Sequence, residues 1–386
     1  MAYEQPLVVV NDVLTRIRSR ASSEELLALG TIAVVAVLLR LVGLAQGMRI
    51  DERLTYQYFV SQSWTTAVSD YSMVNNHIFH TVLAKVAVTV FGPRLWALRM
   101  PALIAGVLVV PATYIAVRSL YDARAALLAA ALVATCAETV MFSANARGYS
   151  LMTLAFLLLI IVGVRLQRSP SRGLWAVFAV VAALGLWTIP AALYPVGAVS
   201  IWLGISLLQR RAFGDVRAFL MAMVLAAILT LALYAPALEH TGLAALTRNE
   251  VVAPSPWPVF FADMSWSVGE TAWYWDRGLP VVFAVVLGAC ALIAVMRHKH
   301  VSRYRISLPL VCAVWCAALL IASHRAPKVR VWQWAVPLTA GLAGAGLAHL
   351  IDRWPSAAAF TARWFPACVA AFTVISAVSL IGAGIV

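Results

Sequence analysis

Long apolar runs recur along the whole chain, each closed off by a short polar segment. They cover approximately residues 26–45, 100–119, 125–142, 149–165, 173–189, 191–208, 217–236, 279–296, 306–323, 331–350 and 365–386. Coiled into a helix, roughly 18 to 22 apolar residues cross a hydrocarbon core of about 30 Å. A membrane β-barrel would instead alternate apolar and polar residues in short segments, and these runs do not. The pattern predicts an all-α polytopic membrane protein with about eleven transmembrane helices. Arg16, Arg18 and Arg20 lie in the polar residues ahead of the first run. No small-residue cleavage site follows a short apolar core there, so the first run reads as an uncleaved anchor.

One shorter apolar segment, 78–91, contains His80 and Lys85. At about 14 residues it suits an interfacial helix better than a span. Loop charge agrees. If 78–91 stays on one surface and the N-terminus is cytoplasmic, most of the Lys and Arg fall in the N-terminal tail and the loops near 118–124, 165–172, 209–217, 297–305 and 352–363. That is the positive-inside bias. If 78–91 crosses, the bias inverts along most of the chain. Four outer segments result: 46–98, 143–149, 237–278 and 324–330. The expected organisation is a cytoplasmic tail (1–25), a first transmembrane module (26–236), an outer loop (237–278) and a C-terminal transmembrane module (279–386).

Composition narrows the class. Of the 386 residues, 63% are hydrophobic and only 12% charged, about half the charged share of a soluble domain. The net charge of +13 is accounted for by inner loops and anionic headgroups rather than nucleic acid. The five cysteines (136, 290, 312, 316 and 368) lie in or beside apolar runs without histidines at ligand spacing. They read as packing residues, with neither a disulfide nor a zinc site.

The outer segments carry the candidate chemistry. Asp51-Glu52 follows the first span between Arg49 and Arg53. A carboxylate held there can deprotonate a hydroxyl acceptor, with the arginines favouring its ionised form. Asn75-Asn76-His77 offers hydrogen-bonding groups, and Asn75 or Asn76 also suits the N-cap of helix 78–91. Arg147 and Tyr149 lie in the turn 143–149, where interfacial anchoring is the plainer alternative. Glu138 is an ionisable group inside an apolar run and calls for a partner, with Arg147 or Arg99 in reach by sequence. Arg325, Lys328 and Arg330 precede Trp332 and Trp334. Cations at a helix start can hold phosphate or a lipid headgroup. The acidic, Trp-rich stretch 237–278 suits carbohydrate stacking or a lid on the interface.

Asp51-Glu52, Asn75-Asn76-His77, Phe91-Gly92, Trp96-Ala97-Leu98-Arg99-Met100-Pro101-Ala102-Leu103 and Ala146-Arg147-Gly148-Tyr149 together resemble the GT-C membrane glycosyltransferases. The similarity is to the bacterial protein O-mannosyltransferase-like and aminoarabinose-transferase-like branch, and it covers residues 30 to about 165. The resemblance implies a GT-C-like bundle with juxtamembrane helices in the first outer loop. It implies a polyprenyl-phosphate-linked sugar donor and a glycan, lipid or protein acceptor on the extracytoplasmic side of a bacterial inner membrane. Asp51 would be the base, with Glu52 supporting it or binding the acceptor. Arg147, Arg325, Lys328 and Arg330 would hold the donor phosphate. Asn75, Asn76, His77 and Tyr149 would face the sugar or acceptor, and inversion would follow from a single displacement. Many relatives carry a Pro-Pro pair where this chain has Asn75-Asn76-His77. Metal-using relatives carry an acid in the turn after the third span, and here that turn has none, so the expectation is no essential divalent metal and no cofactor. The soluble outer domain that many relatives append is not expected. Two competing readings are a lipid-intermediate transporter and a catalytically idle subunit of a larger membrane complex.

Overall fold

The computed structural model describes residues 22–247 and 253–385, and among them every regular element is helical. The expected tail therefore lies almost wholly outside the described residues, as do Arg248 and Glu250. The elements are α1 (Ser23–Leu44), α2 (Ile50–Thr55) running into a π-helical turn (Tyr56–Val60), α3 (Trp64–Ser69), α4 (Ile78–Phe91), α5 (Leu95–Leu120), α6 (Ala123–Thr135), α7 (Ala137–Ser143), α8 (Tyr149–Leu166), α9 (Arg172–Thr188), α10 (Leu193–Gln209) and α11 (Phe213–Thr247). Then come α12 (Trp257–Asp276), α13 (Val281–Met296), α14 (His298–Val301), α15 (Leu308–Ser323), a 3-10 segment (Val329–Ala335), α16 (Val336–Ile351) and α17 (Pro355–Gly382).

Local chemistry starts several of these helices. Ser22, Ser63, Asp122, Ser171 and Ser307 are N-caps whose side chains accept a hydrogen bond from the N–H three residues on. This satisfies a donor that the first turn leaves free. The N-cap of α4 is His77, with no side-chain cap. The expectation of an asparagine there is corrected: the Asn76 amide donates to Ala67 and Asp70 carbonyls instead.

Among the described residues, seven helices are long and apolar enough to cross a membrane, nine if the bent pairs α6–α7 (60°) and α12–α13 (113°) each count as one span. The apolar helices α9 and α15 are shorter, at 17 and 16 residues. Small residues allow the closest approaches in the bundle. A Cβ on Gly344 in α16 would lie 2.7 Å from the Ala125 carbonyl of α6, and such contacts hold helices together by van der Waals packing.

The polar segments sort to opposite ends. At one end Arg118 pairs with Glu25 at 2.9 Å, Arg124 with Asp352 at 2.7 Å, and the Arg303 N–H donates to the Leu120 carbonyl. At the other end the segments 46–77, 143–149, 253–276 and 324–335 meet. Within the expected loop 237–278, α11 runs on to Thr247 and α12 covers Trp257–Asp276. Trp257, Trp266 and Trp273 of α12 are exposed.

Candidate active site

The site begins with two neighbouring acids that a helix separates. Successive residues in α2 point about 100° apart, so Asp51 and Glu52 meet different surroundings. Glu52 is fully buried and accepts four hydrogen bonds. They come from Arg99 Nε (2.7 Å) and Nη2 (2.6 Å), and from the Arg49 (2.9 Å) and Ala146 (2.9 Å) backbone N–H groups. Arg99, equally buried, also donates to the carbonyls of Leu44, Gln46 and Gly47. One ion pair thus ties the end of the first span, the start of α2 and the turn 143–149 together. This geometry fits Glu52 as a support rather than a ligand group.

Asp51 is partly exposed. Its side chain is 34% exposed, and its Oδ2 lies 3.5 Å from Arg330 Nη1, itself 29% exposed. The cation beside Asp51 therefore comes from 279 residues further along. The flanking arginines expected in that place are elsewhere: Arg49 donates to the Gln46 side chain at 2.8 Å and Arg53 is exposed.

Behind this pair lies a buried group of donors. His77 Nδ1 accepts the Gly148 N–H at 2.7 Å. Burial first, then the positive charge of Arg147, holds the His77 ring well below the usual histidine range, so the ring is neutral. With Nδ1 accepting, the ring proton sits on Nε2. Nε2 lies 3.1 Å from Arg147 Nη2, so two N–H donors confront each other without an acceptor. Arg147 is buried, and its Nε and Nη1 have no hydrogen-bond partner. Arg330 is close enough to depress His77 as well. The arrangement presents positive charge and N–H groups at one point, the reverse of what a stable core selects. An oxyanion placed there would accept from both.

Gly148 is required by this contact. A Cβ on it would meet His77 Nδ1 at 3.0 Å and overlap Thr188 Cγ2. His80, one turn after His77, is fully buried with both ring nitrogens unpartnered, and burial together with Arg147 holds it down at about 3. No group of three His, Cys, Asp or Glu side chains able to hold a metal ion occurs among the described residues.

The structure brings Asp51, His77, Arg147 and Arg330 together and sets the other candidates around them. Tyr149 is buried edge-on against His77 (5.0 Å between centroids) and Phe142 (5.1 Å). Asn76 braces the chain before α4, and Asn75 is buried in the same turn. Arg325 donates to Ser255 Oγ at 3.0 Å, and Lys328 is exposed. Neither arginine suggested for Glu138 is its partner: Arg99 is engaged by Glu52 and Arg147 faces His77. Sequence reading missed the pairing of Arg99 with Glu52. Its signal was Arg99 itself, a charge at the head of an apolar run.

The structure superposes on ArnT from Cupriavidus metallidurans with a TM-score of 0.58 at 14% identity, both apo and bound to undecaprenyl phosphate. The chain has the GT-C fold of membrane glycosyltransferases. The apo ArnT match covers 83% of this chain and 60% of ArnT, and the undecaprenyl phosphate complex 91% and 69%. AglB from Archaeoglobus fulgidus, in complex with an inhibitory peptide and a dolichol-phosphate, matches with a TM-score of 0.54 at 14% identity over 92% of this chain and 54% of AglB. The arabinosyltransferase EmbB from Mycobacterium smegmatis matches with a TM-score of 0.55 at 17% identity over 91% of this chain and 31% of EmbB. This GT-C chain thus spans between about one third and two thirds of the length of these proteins. Residues 77–236 match the dolichyl-phosphate-mannose-protein mannosyltransferase family, a stretch that starts at His77 and includes Arg147. No curated protein matches the chain.

Proposed function

We propose that this multi-pass membrane protein is a glycosyltransferase that takes a sugar from a polyprenyl-phosphate-linked donor and passes it to an acceptor hydroxyl. The observation that carries this reading is the pair of facing donors, His77 Nε2–H and Arg147, beside Arg330 and a solvent-reachable Asp51. A phosphate oxygen is the kind of acceptor that these donors lack within the protein. Undecaprenyl phosphate in the ArnT structure and dolichol-phosphate in that of AglB support a lipid-linked donor.

In the reaction, the acceptor oxygen attacks the anomeric carbon while Asp51 takes the hydroxyl proton. The carbon–oxygen bond to phosphate breaks, and the leaving phosphate keeps the electron pair. Arg147, Arg330 and His77 Nε2–H hold its developing charge, as preorganised donors do. A single displacement inverts the sugar carbon. Arg325 and Lys328 extend the positive field toward the outer surface. Glu52 with Arg99, and Tyr149 with Asn75 and Asn76, position these groups. The positive-inside bias puts the site on the extracytoplasmic face. The acceptor is a glycan, lipid or protein hydroxyl.

The test is a transfer assay on the full chain in nanodiscs, supplied with radiolabelled polyprenyl-phosphate sugars and a membrane extract as acceptor source. Sugar transfer with release of free polyprenyl phosphate is expected for the wild type and lost in Asp51→Asn. Equal transfer by wild type and Asp51→Asn would remove Asp51 from the chemistry. Binding of donor with no turnover by either would favour a transporter or an idle subunit.

A further inference from the structure

Arg40 is buried without a counter-charge. It lies inside the first span, one turn before α1 ends, and is fully buried. Among the described residues no carboxylate pairs with it, and its Nη2 has no hydrogen-bond partner. A charge within a span is costly and is kept where it serves a purpose.

Its contacts show that purpose. Arg40 Nη1 donates to the Ala36 carbonyl of its own helix at 3.1 Å and to the Ala134 carbonyl at 3.2 Å. Ala134 is in the last turn of α6, where the chain bends by 60° into α7 and carbonyls lose their helical partners. Thr139 Oγ1 takes the neighbouring Val133 carbonyl at 2.7 Å. Arg40 Nε donates to Ser143 Oγ at 3.2 Å, at the far end of α7, and Ser143 Oγ donates to the Thr139 carbonyl at 2.5 Å. One guanidinium thus ties both ends of α7 to α1. Helix α5 packs on the same side chain, since a Cβ on Gly106 would overlap Ser143 Oγ.

Ser143 opens the turn 143–149. Further along it, Glu52 accepts the Ala146 N–H and His77 the Gly148 N–H, with Arg147 between them. Those contacts fix the later part of the turn, and Arg40 fixes its start. Arg147 Nη2 stands 3.1 Å from His77 Nε2, so a small shift of the turn changes the spacing of the two donors.

We infer that Arg40 is a positioning residue for Arg147: from within the first span it sets where α7 ends, and through Ser143 where the Arg147 guanidinium stands. The inference rests on the reading of His77, Arg147 and Arg330 as a phosphate site.

The experiment is native mass spectrometry of the full-length protein from detergent, titrated with undecaprenyl phosphate. It compares wild type, Arg40→Met, Arg147→Gln and the double variant. Arg40→Met should bind at least 10-fold more weakly than the wild type. On the Arg147→Gln background the same substitution should change binding by less than twofold, because the residue it acts through is gone. Equal binding by wild type and Arg40→Met would overturn the inference. So would a full second 10-fold loss in the double variant, which a general loosening of the fold would give. If Arg40→Met fails to fold, Ser143→Ala takes its place in the same cycle, with at least a threefold loss expected in the wild-type background alone; unchanged binding there would overturn the inference. A wild type that binds no undecaprenyl phosphate would overturn the donor reading, and this inference with it.

Discussion

Arg99→Met should unfasten the Asp51 end of the bundle. The substitution keeps most of the side-chain length and removes a guanidinium that is fully buried against Glu52 at 2.6 Å. Glu52 would keep its two backbone donors from Arg49 and Ala146 but lose its counter-charge, and the carbonyls of Leu44, Gln46 and Gly47 would lose theirs. Removing one member of a buried ion pair costs about 3–5 kcal/mol. Solvent screening offers little relief, since neither side chain is exposed. At roughly 2 °C per kcal/mol, the low end for large chains, the melting temperature should fall by about 6–10 °C in nanodisc thermal scans. Glu52→Leu/Arg99→Met should melt above Arg99→Met, because an apolar pair costs less than an orphaned charge. The reasoning fails if Arg99→Met melts within 2 °C of the wild type, or if the double variant loses the sum of both single effects.

Acidification should destabilise the fold. His77 and His80 are held below the unfolded histidine value of about 6.5, so between that value and the folded one the unfolded chain binds protons that the folded chain does not. Stability is then full above about pH 6.5 and falls below it, by up to about 1.4 kcal/mol per pH unit for each ring; melting scans from pH 7 to pH 5 should show this, with a shallower slope in His80→Phe. Gly148→Ala should cost about 1–3 kcal/mol by overpacking His77 and Thr188, and undecaprenyl phosphate titration should show weaker binding. Asp51→Asn should leave that binding within twofold of the wild type while transfer falls by about 10²–10⁴-fold.

The apolar periodicity made the bundle legible, and loop charge gave the expectation that 78–91 stays on one surface among four outer segments. Asp51, His77, Arg147 and Arg330 were each legible as charged or hydrogen-bonding groups in those segments. Their proximity was not, because contacts across 70 and 279 residues leave no local pattern. Nor could the sequence separate Asp51 from Glu52, whose fates depend on which side of a six-residue helix meets Arg99. The cap of α4 misled for a similar reason: Asn76 has capping chemistry but spends it on the carbonyls of Ala67 and Asp70.

The central claim is that His77, Arg147 and Arg330 form a site for a lipid-linked phosphate. Its most direct measurement is native mass spectrometry of the full chain titrated with undecaprenyl phosphate, comparing wild type with Arg147→Gln and Arg330→Gln. The account predicts one bound undecaprenyl phosphate per wild-type chain and at least a 10-fold loss of affinity in each variant. Undecaprenyl phosphate bound equally by all three proteins would contradict it.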